Sequence, residues 1–71
     1  MAEYAVLTKE IATWNRKKKD WDTIPAGTKG RIVDYLNTPL STTYRLIFNE
    51  GKENCVFEYA NEKYLIKIIG E

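Results

Sequence analysis

Arg16, Lys17, Lys18 and Lys19 place four positive charges in succession, with Trp14 before them and Trp21 after. Lys29 and Arg31 follow a few residues later. Cations interleaved with aromatic rings suit two chemistries. They neutralise phosphates while the rings stack on bases. They also steer an acidic protein surface into contact, with a tryptophan as the desolvated anchor. Asp20 and Asp22 flank Trp21, and each would repel a phosphate beside that ring. The sequence therefore points to Arg16, Lys17, Lys18, Lys19, Trp21, Lys29 and Arg31 as a partner-binding surface. An acidic protein is the preferred partner, and RNA or DNA the alternative. The plain reading of the same residues is a solvated loop whose tryptophans tuck onto the fold. Of the two, Trp14 is expected to pack and Trp21, in more polar surroundings, to stay exposed.

No reaction chemistry is legible beside this cluster. The chain has no histidine, which removes the commonest general base and the commonest metal ligand. Ser41 sits in a loop-forming stretch. Cys55 is the single cysteine, so no disulfide is expected, and it reads as a small packed hydrophobe. Asp20 and Asp22 supply only two oxygen ligands, short of what a hard cation needs. The expectation is a non-catalytic protein with no cofactor and no metal.

Charge is unevenly spread. The net charge is +1, yet residues 16–31 hold six positive side chains against Asp20 and Asp22. Residues 32–71 hold four positive and six negative ones. Such polarisation orients an approaching partner even when the net charge is small. Seventy-one residues read as one domain, 1–71, that buries roughly 60% of its unfolded surface. No apolar run approaches the roughly 20 residues that span a bilayer. The opening MAEYAVLTKEI has no basic stretch leading into a long apolar one. A cytoplasmic location with no membrane partner is expected. The Lys, Asn, Ile and Tyr content is what A+T-rich genes favour, bacteriophage genes among them. A small phage or mobile-element inhibitor of a host protein is thus one form the binding module could take.

The elements that would carry the cluster are strands. EYAVLT alternates, and KGRIVDYL is β-branched and bounded by Gly and by Asn-Thr-Pro. TTYRLIF puts Tyr44, Leu46 and Phe48 on one face. NCVFEY puts Cys55, Phe57 and Tyr59 on one face, which reads as the inner one, with Tyr59 in the core beside Tyr44. KYLIKIIG is the last run. Residues 7–19 carry Leu7, Ile11 and Trp14 at helical spacing, but extended chain suits the β context better. Asn49–Lys52 is a turn with Gly51 free for positive φ, so residues 42–59 read as a hairpin. Ile24 to Gly30 is a loop that tightens into a strand.

AVLTKEI, IPAGTKGRIVDYL and YRLIFNEGKENCVFEYANEKYLIKI resemble the SH3-like barrels of bacteria, including KOW-type domains and several families of unknown function. The likeness covers residues 5–69, with an insertion-like stretch at 15–23. Gly27 and Gly30 match the Gly-x-x-Gly entry, Ile32 and Val33 the paired aliphatic residues, and Tyr44, Leu46 and Phe48 the next strand. The resemblance implies an all-β fold: a small closed barrel of five strands with one short helical turn. Relatives of that kind bind RNA, DNA, polymerase subunits or other proteins. A few are ribonuclease toxins, and nothing in the spacing of Thr28, Arg31 and Arg45 requires a toxin-type site. The paired aromatic motif and acidic loop of proline-rich-peptide readers are missing.

Overall fold

The computed structural model describes residues 2–70. Met1 and Glu71, both inside the expected 1–71 domain, lie outside the described residues. The fold is all-β. Its strands are β1 (Glu3–Leu7), β2 (Ile11–Asn15), β3 (Asp20–Ile24), β4 (Lys29–Asn37), β5 (Thr42–Phe48), β6 (Val56–Asn61) and β7 (Leu65–Ile69). One 3-10 turn, Glu62–Tyr64, joins β6 to β7. Asn61 caps it by accepting from the Lys63 N–H. No helix among the described residues is long and apolar enough to cross a membrane.

The expected closed five-stranded barrel does not form. One antiparallel sheet runs β6-β5-β4-β1-β7, and β2 with β3 forms a separate two-stranded sheet. The outer strands β6 and β7 do not pair with each other, so the sheet stays open. A strand also stands where sequence reading assigned a loop. Asp20–Ile24 extends and pairs with β2 along its whole length, from Ile11↔Ile24 to Asn15↔Asp20. The second strand of the chain is thereby paired within a hairpin, apart from the main sheet. The main sheet keeps two open edges, β6 and β7.

One face of this sheet is the core. Phe48, Leu46 and Leu7 are fully buried, and Ala5, Ala60 and Ile24 complete the cluster. The residues come from β1, β5 and β6, with Ile24 from the hairpin. Ile11, Ile32, Tyr44, Val56 and Leu65 pack around them. Burying each large apolar side chain contributes about 1.5–3 kcal/mol. The cluster is small, so its fit matters more than its size. Gly30 on β4 faces Phe48: a β-carbon there would stand 2.8 Å from one ring carbon of Phe48 and 3.2 Å from the Ile47 carbonyl oxygen. The glycine is needed for close approach.

The register shifts between Ile32 and Asp34. The extra residue, Val33, forms a bulge that bends β4. The first part of β4 therefore pairs with β1 while the strand continues along β5. After the bulge Tyr35 returns to the same face as Ile32, opposite Tyr44. The loop after β3 is sewn to the end of β1. Leu7 N–H donates to the Thr28 carbonyl at 3.0 Å, and Gly27 N–H donates to the Leu7 carbonyl at 2.7 Å. Gly27 sits at φ 89°, which favours glycine.

The hairpin lies over half of the core face. Ile11 and Ile24 pack on the cluster, and the buried Thr13 hydroxyl donates to Glu58 on β6 at 2.7 Å. Glu58 thus points inward, as its pairing opposite Leu46 requires. Across the sheet Lys67 on β7 pairs opposite Ala5 and also points to this face, where it meets Glu3 at 2.9 Å and the Tyr44 ring at 5.7 Å.

The expected orientation of β6 is reversed. Tyr59 is 65% exposed and Phe57 is exposed too, while Val56, Glu58 and Ala60 face the core. The register Phe48↔Val56 and Leu46↔Glu58 fixes this, and the Thr13 hydroxyl meets the inward carboxylate. Cys55, read as a packed hydrophobe, is exposed in the turn before β6.

Gly30→Ala is expected to lower the unfolding free energy by about 1–3 kcal/mol through overpacking, read from urea denaturation. Combining it with Phe48→Leu, which withdraws the ring atoms that clash, should give less than the sum of the two losses.

Candidate functional site

The β2–β3 hairpin carries five of the seven residues singled out in the sequence, and Asn15 shapes its tip. Its side-chain oxygen accepts from the N–H groups of Lys17 and Lys18 at 3.0 and 3.1 Å. Its backbone carbonyl accepts from Lys19 N–H at 2.8 Å. Its amide nitrogen donates to Asp22 at 2.7 Å. Lys19 takes φ 55° to close the four-residue turn. The basic run is therefore a tight turn, held by one asparagine, and the two strands leave it in fixed register.

That register sets Trp14 directly opposite Trp21. The rings meet edge to face, with centroids 5.4 Å apart and planes at 75°, a geometry that contributes about 0.5–1.5 kcal/mol beyond area burial. Thr13 and Asp22, at the neighbouring position, face the sheet. The tryptophans therefore face solvent: Trp14 is 46% exposed and Trp21 62%. Trp21 is exposed as expected. Trp14 is not packed into the core, because the same alternation that buries Thr13 turns Trp14 outward.

The charges of the run are partly matched by the chain's own acids. Lys18 forms a short ion pair with Asp22, and Lys17 reaches Glu53 at 3.7 Å. Among the described residues Arg16 and Lys19 have no ion pair. Arg31 and Lys29 do not join the hairpin. They lie on the opposite, outer face of the main sheet, where Arg31 makes a two-pronged contact with Glu50 at 2.9 and 2.6 Å. The Lys29 ammonium stands 4.9 Å from the Tyr4 ring centroid. The single turn between β5 and β6 thus supplies a carboxylate to each side, Glu53 to Lys17 and Glu50 to Arg31. Between that turn and the hairpin runs a groove of about 620 Å³, lined by Trp14, Arg16, Lys17, Asp22, Cys55 and neighbouring residues.

Titration follows these contacts. The Lys18 hydrogen bond, then the Asn15 one, hold the Asp22 carboxyl below the ordinary aspartate range, and Asp22 in turn raises Lys18. The Arg31 hydrogen bond likewise lowers Glu50. Among the described residues no three His, Cys, Asp or Glu side chains come together to hold a metal. Thr28 caps its own loop by donating to the Pro25 carbonyl, and Arg31 is tied to Glu50.

A second feature of the outer face was not anticipated. The Arg45 guanidinium on β5 lies 4.8 Å from the Phe57 ring centroid and 5.8 Å from that of Tyr59, both on β6. Its Nε is buried without a hydrogen-bond partner. The available signal was the inward-pointing choice on β6: either Glu58 or the two rings had to face out. Aromatic weight argued for the rings being inside.

No known protein family, no curated protein and no solved structure matches the chain.

Because the folded pKa of Asp22 is depressed, its contribution is complete above the unfolded value, about 3.9. It is lost as pH falls from there through the folded value. The exciton circular dichroism of the Trp pair should therefore weaken below about pH 4 while the sheet signal persists. Asn15→Ala should move that loss to higher pH.

Proposed function

We propose that the chain is a non-catalytic binding module that engages an acidic protein surface through the solvent face of the β2–β3 hairpin. The observation that carries this reading is the Trp14–Trp21 pair: two large rings, ordered by each other and by an anchored hairpin, held in water. Exposed tryptophan beside arginine is the composition of interface hot spots. The order leaves little side-chain entropy to lose on binding. Arg16 and Lys19 stand at the turn beside the rings, with no acidic partner among the described residues, and supply the steering charge. Asp20, Asp22 and Glu53 among the same cations favour a protein partner over a phosphate backbone. Lys29 and Arg31, on the far face, belong to this contact only if the partner wraps the edge of the sheet.

An SH3-like build fits the module. The strand order β6-β5-β4-β1-β7, the hairpin inserted between β1 and β4, and the 3-10 turn before the last strand support it. The arrangement here is left open where such barrels close.

Trp21→Ala should weaken capture of the partner by roughly 30-fold or more, the threshold of a hot spot, with thermal stability little changed. Arg16→Gln with Lys19→Gln should mainly slow association and flatten its dependence on salt. Affinity capture from lysate by the wild-type and variant chains, with kinetics on the protein retained, reads both. Retention of the same protein by Trp21→Ala, or loss of all captured material on nuclease treatment, would sink the proposal.

A further inference from the structure

We infer that the outer face of the main sheet holds a second binding surface, separate from the hairpin, that takes single-stranded nucleic acid on the rings of Phe57 and Tyr59. The two rings lie two residues apart on one strand and project to the same side, away from the core. Residues at that spacing are about 6.8 Å apart. That is about twice the 3.4 Å rise per nucleotide of a duplex strand, so an extended single strand can set one base on each ring. Phe57 is 47% exposed and Tyr59 65%, and β6 is an edge strand with no neighbour beyond it. Among the described residues nothing covers the rings from outside.

Arg45 is the reason to assign a ligand to these rings. Its guanidinium lies against both, and its Nε is buried and unbonded. A buried donor without a partner is costly, and burial of apolar area does not require it here. What the arrangement achieves is order. One cation fixes two exposed rings that would otherwise rotate freely, and it brings a positive charge beside them without an ion pair among the described residues. Stacking rings with an adjacent cation are the parts that single-strand binding uses, at roughly 1–3 kcal/mol per stacked base. Asp34, opposite Arg45 in the register, and Glu50, which holds Arg31, keep the positive field local. Phosphate contact therefore falls to Arg45, and stacking carries most of the affinity. A second copy of this chain is disfavoured as occupant, because face-to-face packing would take the Arg45 guanidinium of each copy out of water, at a desolvation cost.

The probe is a fluorescein-labelled mixed-sequence 12-nucleotide single strand, DNA and RNA in parallel, followed by anisotropy with the whole chain. Binding is expected, with a weak salt dependence of about 0.7–1.4 on a log–log plot, one or two phosphates at about 0.7 each. Tyr59→Ala should weaken it roughly 5- to 150-fold, and Tyr59→Phe should leave it intact. Arg45→Gln should weaken it and lower the slope by about 0.7. Trp21→Ala should bind as wild type does. Circular dichroism and thermal melting establish that each variant is folded; because both rings face solvent, the substitutions leave the core in place. No binding by the wild-type chain would overturn the inference. So would equal binding by folded Tyr59→Ala, loss on Trp21→Ala, or equal competition by poly-glutamate, which would reveal charge alone.

Discussion

Phe48 packs where Gly30 would otherwise carry a β-carbon, and much of the molecule follows from that approach. The contact draws β4 and β5 together at the centre of the sheet and lets the ring fill the space beneath the hairpin. Leu7, Leu46 and Ile24 close around it, with Ala5 and Ala60 as the small neighbours that make room. A seventy-one-residue chain without a disulfide has few other sources of stability. The hairpin depends on this cluster for its footing through Ile11 and Ile24. The outward display of the tryptophans is then a consequence of which hairpin side chains the core has claimed.

Charge is arranged around one short turn. Glu50 and Glu53 lie between β5 and β6, and each meets a cation from a different side of the molecule. These are exposed pairs, and pairs of that kind contribute little to stability. Their effect is on the field. They reduce the positive pole that a linear count of charges assigns to residues 16–31; with Lys18 held by Asp22, Arg16 and Lys19 are what remains of it on the hairpin. A surface of two rings and two cations is more selective than a run of four.

Much of the strand pattern was legible because alternation and turn chemistry are local. Thr42–Phe48 has the bounds expected, and its inner face of Tyr44, Leu46 and Phe48 is as read. Gly51 takes the positive φ that its turn called for. Three features were not legible, each for a physical reason. Alternation in β6 fixes that neighbours face opposite ways but not which set is inside; the register with β5, Phe48↔Val56 and Leu46↔Glu58, decides it. Asp20–Ile24 has two aspartates and no apolar alternation, so its strand identity comes from the partner across the turn. Closure of the sheet depends on whether its outer strands meet, and no single segment records that. The basic cluster was read as one surface because its residues are near in sequence, yet successive positions along a strand face opposite sides and β4 belongs to a different layer from the hairpin.

The two borders of the main sheet share a property that bears on how the molecule behaves in a crowd. β6 turns Glu58 inward and β7 turns Lys67 inward, each charge met by groups of its own chain. A foreign strand that extended the sheet on either side would lay its residues against a carboxylate or an ammonium already engaged, at a cost in desolvation. An inward charge at each margin is one of the devices by which a sheet that does not close discourages a stranger from joining its ends.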